Sequence, residues 1–296
     1  MSHVSLTKDL HHAARRARGK QAGSTRKARD QALARFARYL WDAGFQIHTT
    51  GQVREKHIRA WVTDLRGRGR TARTVANSLA HVRTALEGIG RRAFADRLAN
   101  AQLGVAGASR AGTKAPLAPE QFEAFLAAAR AVDPGVAMVL ELQREFGLRA
   151  QEGVRSVDSL ADWERALASA GGDGFVLVIH GTKGGRTRRS PPQDRARALD
   201  VVRRARAMCR GSGGKLVRKP DLKTAMQRYS NVTRRIGMEG GQAPHCLRYT
   251  YAVEHLLRMK AEGLSRGEAA AAVSTYLGHG DGRGRYVEQV YGQALC

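Results

Sequence analysis

One stretch near the carboxyl end of the chain, residues 244–252, reads Pro-His-Cys-Leu-Arg-Tyr-Thr-Tyr-Ala. A proline suits the first position of a helix, and apolar residues follow at near-helical spacing, so the stretch predicts a helix with one packed face. His245 and Arg248 lie three residues apart and therefore share a face of that helix. Beside the free N–H groups of a helix start this pair can hold an anion, although the same spacing is common on solvated faces.

Further short motifs accompany this stretch in a defined order. They are Phe-Gly-Leu-Arg-Ala-Gln-Glu at 146–152, Gly-Thr-Lys-Gly-Gly-Arg at 181–186, Tyr-Leu-Gly-His at 276–279, and then Tyr286 and Tyr291. This ordered set resembles the tyrosine recombinase (phage integrase) family. The resemblance is strong over residues 117–296, whereas over residues 24–100 it consists only of general helical character.

Length and composition indicate a globular protein with room for two domains. The chain has 296 residues, 42% of them apolar, and no apolar run approaches the length that spans a bilayer. Its first residues lack the apolar core and cleavage site of a secretory signal, so the expected location is the cytoplasm, in association with the nucleoid. The three cysteines are too few for a disulfide framework, and none has metal-ligand spacing.

The charge of the chain indicates a polyanionic partner. Fifty-one Lys and Arg against 26 Asp and Glu give a formal net charge of +25 and a sequence pI near 11.2. Double-stranded DNA is the commonest partner for such a field, and arginine can fork onto phosphate oxygens. A merely soluble cationic surface is the alternative. A membrane surface is not favoured, since no predicted helix pairs a basic face with a Trp, Phe or Leu face.

The first part of the chain is predicted to be helical and basic. Residues 1–23 are interpreted as a basic arm or a frayed helix on DNA, or as a disordered terminus without a role. Residues 24–103 carry apolar residues at helical spacing between basic loops, which predicts a small helical bundle. It is similar to the SAM-like core-binding domain of tyrosine recombinases, although any four-helix bundle fits the pattern. The Gly-rich segment 104–116 predicts an interdomain linker.

The second part, residues 117–296, is predicted to be a catalytic domain that is mainly α-helical with a small β-hairpin. A nearly all-apolar helix runs towards Gly147, which ends it and places Arg149 in a turn. The run 175–179 is the one convincing β-segment, and residues 186–190 can return as its partner strand.

The resemblance implies that six side chains act on one DNA phosphate: Arg149, Lys183, His245, Arg248, His279 and Tyr291. The two arginines can neutralise phosphate oxygens, and the histidines can donate hydrogen bonds or move protons. Lys183, at the tip of the predicted hairpin, matches the family's lysine that protonates the leaving oxygen. Glu152 can brace Arg149, with a purely structural pair as the alternative. No Asp/Glu cluster suggests a two-metal site, and a tyrosine ester makes ATP unnecessary, so no metal and no cofactor are expected.

The choice of tyrosine depends on the loop after His279. In the family the nucleophile usually follows this histidine by about nine residues, whereas here Tyr286 follows by seven and Tyr291 by twelve. The segment Gly-Asp-Gly-Arg-Gly at 280–284 resembles an enlarged loop that would push the nucleophile later. The context of Tyr291 also resembles the family's nucleophile helix better, so Tyr291 is favoured. Tyr286 is the alternative nucleophile, or else a packing residue or phosphate contact.

Taken together, the resemblance implies a site-specific DNA recombinase or integrase. Such an enzyme cleaves one strand per subunit, leaves a 3′-phosphotyrosine and exchanges strands through a Holliday junction. The resemblance also implies a homo-tetramer on paired sites in double-stranded DNA, with an accessory DNA-bending or directionality protein as a further partner. Two alternatives stay open: a catalytically silent DNA-binding regulator of the same fold, and a type IB topoisomerase-like enzyme.

Overall fold

Helices dominate both halves of the chain in the structure, a computed structural model that describes residues 3–19, 23–105, 107, 109 and 111–292. The chain divides into two units, Met1–Ser109 and Arg110–Cys296. The division falls inside the segment 104–116 that the sequence predicts as a linker. Across the described ranges, no helix combines the length and apolar character needed to cross a bilayer.

The amino-terminal unit is a bundle of amphipathic helices. Its helices are α1 (Val4–Arg18), α2 (Gly23–Asp42), α3 (Glu55–Gly67), α4 (Ala72–Glu87) and α5 (Arg92–Arg97). Phe36 of α2 packs on Trp61 of α3, with ring centroids 4.9 Å apart. Thr71 begins α4, since its side-chain oxygen accepts a hydrogen bond from the Thr74 N–H at 3.3 Å.

Helix α1 corrects the prediction of a basic arm over residues 1–23. Its apolar stripe, which includes Leu6 and Leu10, is buried in the core of the amino-terminal unit, and the helix packs against α4. An ion pair of 3.0 Å joins Arg18 to Glu87 at the end of α4. The prediction is therefore wrong for residues 4–18, because the stripe buries enough apolar surface to hold the helix on the bundle. Residues 1–2 and 20–22 lie outside the described residues.

The carboxyl-terminal unit contains the remaining helices and both strands. The helices are α6 (Pro119–Val132), α7 (Pro134–Phe146), α8 (Ala150–Val154), α9 (Leu160–Ala168), α10 (Arg195–Arg210), α11 (Leu222–Arg235), α12 (Cys246–Ala261), α13 (Arg266–Tyr276) and α14 (Gly284–Val290). The strands are β1 (Val176–Val178) and β2 (Arg188–Ser190).

Helix α7, which is almost fully buried, packs against α12, which is buried over residues 246–253. Asp133 begins α7 by accepting hydrogen bonds from the N–H groups of Gly135 and Val136, both at 3.1 Å. Gly147 ends it in the left-handed conformation at φ 58°, which a residue without a side chain adopts at no steric cost. The chain then turns back towards α12, so Arg149 lies in the turn that the sequence predicts.

The β-hairpin is antiparallel, with Val178 opposite Arg188 and Val176 opposite Ser190. These four residues face the interior, whereas Leu177 and Arg189 face outward. The strands are shorter than the predicted runs 175–179 and 186–190, but they pair as expected. The fold class, mainly α-helical with a small β-hairpin, is confirmed.

The second part of the predicted linker lies against the carboxyl-terminal unit. Directly after the segment, the Leu117 N–H donates to the Thr250 hydroxyl at 2.9 Å. Gly112 approaches so closely that an added Cβ would lie 2.0 Å from the carbonyl oxygen of Val290. The second part of the segment is therefore packed on this unit by its backbone and by the absence of a side chain at Gly112, while an interdomain linker over 104–116 stays a prediction. Residues 106, 108 and 110 lie outside the described residues.

Candidate active site

Arg149 is held by Glu152, one turn along α8. The Arg149 N–H donates to Glu152 Oε2 at 2.9 Å and its Nη1 to Glu152 Oε1 at 2.6 Å. The Arg149 side chain keeps 26% of its surface exposed, whereas the Glu152 side chain is fully buried. Burial alone would raise the pKa of Glu152, but the charges of Arg188, Arg248 and Arg149 lower it below the ordinary value. A charged carboxylate therefore fixes Arg149 while leaving part of its side chain accessible.

Arg248 is fully buried in the first turn of α12. Its Nη1 donates to the Gly147 carbonyl at 2.6 Å, and its Nη2 donates to the Leu277 carbonyl. These two carbonyls belong to the end of α7 and the end of α13, so Arg248 joins the turns that precede Arg149 and His279. Within the described residues, its Nε has no hydrogen-bond partner.

His279 and Tyr291 are in contact with each other. Nε2 of His279 lies 3.3 Å from the Tyr291 hydroxyl, within hydrogen-bond distance. Burial, together with the charges of Arg248 and Arg149, lowers the pKa of His279 to about 3, so the ring is neutral near neutral pH. A neutral imidazole can accept the phenol proton in a hydrogen bond, and the charge of Arg248 lies close to the same tyrosine.

The two candidate tyrosines have different surroundings. Tyr291 is 2% exposed, at the end of α14, and its ring packs on that of Tyr249 with centroids 4.6 Å apart. Tyr286 is 36% exposed, and its ring meets the edge of His279 with centroids 4.9 Å apart. Helix α14 packs against α13, where an added Cβ on Gly284 would lie 3.3 Å from the Ala271 nitrogen. This packing brings Tyr291, and not Tyr286, to hydrogen-bond distance of His279.

His245 lies at the edge of this cluster, directly before α12. More than a third of its surface is exposed, and its ring meets the edge of Tyr249 with centroids 5.7 Å apart. Partial burial and the charges of Arg248 and Arg149 lower the pKa of His245 to about 4. Lys114, which donates to the Gly240 carbonyl, adds to this effect. His245 is therefore a neutral, accessible group next to the arginines.

Lys183 is not brought into the cluster. It is exposed in the connection between β1 and β2, in a short 3₁₀ turn. Among the described residues, none forms a hydrogen bond or ion pair with its ammonium group. The structure thus brings together Arg149, Arg248, His279 and Tyr291, places His245 beside them, and leaves Lys183 on the hairpin.

The sequence reasoning missed Arg188, the first residue of β2. Its side chain is 2% exposed, and its Nη2 donates to Glu152 Oε2 at 2.9 Å and to the Gly147 carbonyl at 3.2 Å. Burial lowers the pKa of Arg188 to about 10, so it remains charged near neutral pH. The alternation of the hairpin carried the signal, since Arg188 is opposite buried Val178 and must therefore point inward.

The cluster has an excess of positive charge. Three guanidiniums, those of Arg149, Arg188 and Arg248, surround the single carboxylate of Glu152. This arrangement favours an anion next to the phenol of Tyr291. Among the residues that the structure describes, no three His, Cys, Asp or Glu side chains are grouped as ligands of a metal ion.

Comparison with known families gives two matches along the chain. The profile described as Integrase matches residues 104–254, and the profile described as phage integrase, N-terminal, matches residues 1–95. The first match covers half of the chain and includes Arg149, Lys183, His245 and Arg248 by position. The chain belongs to the integrase family, and it is a site-specific recombinase of the tyrosine type, as the sequence motifs predict.

Solved structures share the fold at low sequence identity. The Tn1549 transposon integrase in complex with transposon right-end DNA has a TM-score of 0.61 at 16% identity, covering 96% of this chain and 93% of that one. The lambda integrase tetramer bound to a Holliday junction has a TM-score of 0.55 at 18% identity, covering 95% and 76%. The XerH site-specific recombinase bound to its difH substrate has a TM-score of 0.57 at 13% identity, covering 98% and 83%. Among curated proteins, none matches the chain.

Proposed function

We propose that this recombinase cleaves and rejoins DNA strands through a covalent 3′-phosphotyrosine on Tyr291, without a metal ion or ATP. The surroundings of the Tyr291 hydroxyl support this proposal. The Tyr291 hydroxyl lies 3.3 Å from the neutral Nε2 of His279 and close to the buried charge of Arg248. A phenol beside a proton acceptor and an anion-binding guanidinium has the surroundings of an activated nucleophile.

In the proposed cleavage step, Tyr291 Oη forms a bond to phosphorus while the bond between phosphorus and the 5′ oxygen breaks. Arg149 and Arg248 stabilise the charge on the non-bridging oxygens. The phenol proton passes to His279, whose pKa is lowered by burial and by the nearby arginines; a bound phosphate offsets the arginine part of this effect. Lys183 gives a proton to the leaving 5′ oxygen, since its place on the exposed hairpin would let it reach DNA lying on the site.

Rejoining reverses the same step on another strand. A 5′ hydroxyl attacks the phosphotyrosine, the bond from phosphorus to Tyr291 breaks, and the phenol regains its proton. The ester preserves the energy of the original phosphodiester, so the cycle consumes no ATP. The guanidiniums supply the positive charge that a metal ion supplies in other phosphoryl transfers, so the proposed chemistry requires none.

We further propose that residues 24–103 contribute a core-binding domain and residues 117–296 the catalytic domain, which together hold double-stranded DNA in the nucleoid. The net charge of +25 supports DNA binding. The lambda integrase of similar fold is a tetramer on a Holliday junction, which supports a homo-tetramer on paired sites. An accessory DNA-bending or directionality protein is the further partner that we propose.

Covalent capture tests the proposal. Fragments tiled across the DNA that flanks the gene are incubated with the protein, and adducts are isolated under denaturing conditions and sequenced at the protein-linked end. We expect wild type and Tyr286→Phe to form the adduct, and Tyr291→Phe to form none, because the Tyr291 hydroxyl lies within hydrogen-bond distance of His279 Nε2.

Three outcomes contradict the proposal in different ways. An adduct that persists in Tyr291→Phe and is lost in Tyr286→Phe would assign the nucleophile to Tyr286. DNA binding without any adduct from wild type would indicate a silent regulator. Relaxation of supercoiled plasmid with adducts at unrelated sequences would indicate a topoisomerase-like enzyme.

A further inference from the structure

Arg188 contacts Glu152 and the Gly147 carbonyl, the two groups that hold Arg149 and Arg248. We propose that Arg188 is a positioning residue that fixes Arg149 and Arg248 relative to each other so that the charges of both act on one phosphate. This inference rests on the proposed function and adds a residue to it. The hydrogen bonds of its side chain go to Glu152 and to the Gly147 carbonyl, so it acts through these neighbours.

A single nitrogen of Arg188 bridges the two supports. Its Nη2 donates to Glu152 Oε2 at 2.9 Å, and the same carboxylate accepts the Arg149 guanidinium through Oε1 at 2.6 Å. Nη2 also donates to the Gly147 carbonyl at 3.2 Å, which accepts Arg248 Nη1 at 2.6 Å. Each guanidinium of the proposed site is therefore one hydrogen-bonded group away from Arg188.

Two further parts of the site depend on the same side chain. An added Cβ on Gly278 would lie 2.8 Å from Arg188 Cδ, so Arg188 packs on the backbone directly before His279. Arg188 also begins β2, five residues after Lys183, and anchors one end of the connection that carries this lysine. Arg188 thus connects the hairpin to the turns before Arg149 and His279.

The energetics argue against a merely structural residue. Arg188 is a fully buried cation, and within the described residues its Nε and Nη1 have no hydrogen-bond partner. Unpaired buried donors reduce stability, and an apolar side chain of similar volume often stabilises a protein more than a buried ion pair does. A residue that served only packing at this position would not need a charge. The charge is accounted for if it must hold Glu152 and Gly147 in register.

The test compares Arg188→Met and Arg188→Lys with wild type on a nicked suicide duplex of the captured site. Arg189→Gln is the matched control, because Arg189 is the exposed next residue, and its ion pair with Asp173 lies on the outer face of the hairpin. Each protein is also given the same duplex with a methyl group in place of one non-bridging oxygen of the scissile phosphate. This neutral linkage needs less help from Arg149 and Arg248.

We expect Arg188→Met to slow adduct formation by about 10- to 100-fold on ordinary DNA, as loss of a hydrogen bond between charged groups does. On the neutral linkage the loss should shrink to within about threefold, since misplaced arginines then matter less. Arg188→Lys keeps the charge but not the bridge, so it should show the same pattern with a smaller loss. Arg189→Gln should match wild type on both substrates.

Several results would overturn the inference. Unchanged cleavage by a folded Arg188→Met would do so, as would equal losses on both substrates, which indicate a reduced folded fraction. If thermal melting shows both variants to be unfolded, Arg188 serves stability alone and the inference is wrong. Failure of wild type to form any adduct would instead contradict the proposed function, so the two failures are distinguishable.

Discussion

Replacing Glu152 by glutamine keeps the shape of the side chain and removes the charge that holds Arg149 and Arg188. Glu152 Oε1 accepts from Arg149 Nη1, while Oε2 accepts from the Arg149 N–H and from Arg188 Nη2. In the glutamine variant an NH₂ group replaces one of these oxygens and cannot accept a hydrogen bond there. Replacing Oε1 loses one hydrogen bond, whereas replacing Oε2 loses two. The variant should therefore keep the contacts to the Arg149 N–H and to Arg188 and release the Arg149 guanidinium.

The expected magnitude follows from the burial of this carboxylate, whose residue is 1% exposed. Removing one partner of a buried ion pair costs about 3–5 kcal/mol, and the retained contacts place Glu152→Gln near the lower end. For a unit of this size each kcal/mol shifts the melting temperature by about 2–4 °C, so it should fall by about 6–12 °C. Adduct formation should slow by about 10- to 100-fold because Arg149 is no longer fixed.

The stabilisation by the Glu152 charge depends on pH and decreases in acid. The folded-state pKa of Glu152 is lowered, so its charge stabilises the protein above the unfolded pKa of about 4.3. That stabilisation is lost as the pH falls through the folded value. The difference in melting temperature between wild type and Glu152→Gln should thus be full near neutral pH and vanish in acid. Other titrating groups are shared by both proteins and cancel.

Calorimetric or fluorescence melting across pH, with the suicide-duplex assay, checks these values. Glu164→Gln is the control, because Glu164 also accepts two arginines, Arg203 and Arg206, but its side chain keeps 23% of its surface exposed. Its change in melting temperature should be much smaller. A Glu152→Gln protein that melts within about 1 °C of wild type near neutral pH, or whose deficit persists in acid, would refute the reasoning.

Three further predictions concern other parts of the site. Gly112→Val places a side chain against the carbonyl of Val290, directly before Tyr291, so adduct formation should fall at least ~10-fold. The control is Gly171→Ala, whose added carbon meets no neighbouring atom and should leave adduct formation unchanged. Lys183→Ala should slow cleavage by about 10²- to 10⁴-fold, but far less on DNA with sulfur as the leaving 5′ atom, which departs without a proton. Equal loss on both substrates would exclude Lys183 as the acid. Because the pKa values of His245 and His279 are lowered to about 4 and about 3, the cleavage rate at low DNA concentration should show no step near pH ~6.5. A step there would show that one of them is protonated in the free protein.

The parts of the fold that could be predicted are those whose sequence signals are local. The β-run before the Gly-rich turn and the apolar helix that ends at Gly147 are each delimited by residues within the same short stretch, and the structure has a strand and a helix at these positions. Helix α1 was misjudged because its arginines near the carboxyl end dominate the composition, while Leu6 and Leu10 occupy only one stripe. That stripe becomes significant only when α4 lies beside it.

The loop after His279 shows why spacing alone could not choose the nucleophile. Seven and twelve residues both differ from the family's usual interval, and a loop of Gly, Asp and Arg has no periodicity from which to read its path. The choice follows from the packing of α14 on α13, which buries Tyr291 against Tyr249 and leaves Tyr286 partly exposed. The sequence motif identifies both tyrosines as candidates, and the contact between Tyr291 and His279 distinguishes them.

Net charge, likewise, indicates a polyanionic partner without showing which arginines face it. Several arginines of α10 are paired with glutamates instead: Arg204 with Glu141 and Arg197 with Glu145, each at 2.6 Å. By contrast, Arg188 is one of three arginines within four residues that look equivalent in sequence. The register with β1 turns only this one inward to Glu152. An arginine's contribution to a phosphate site is therefore set by which strand or helix face it occupies, and a test of Arg188 against its neighbour Arg189 separates that effect from charge alone.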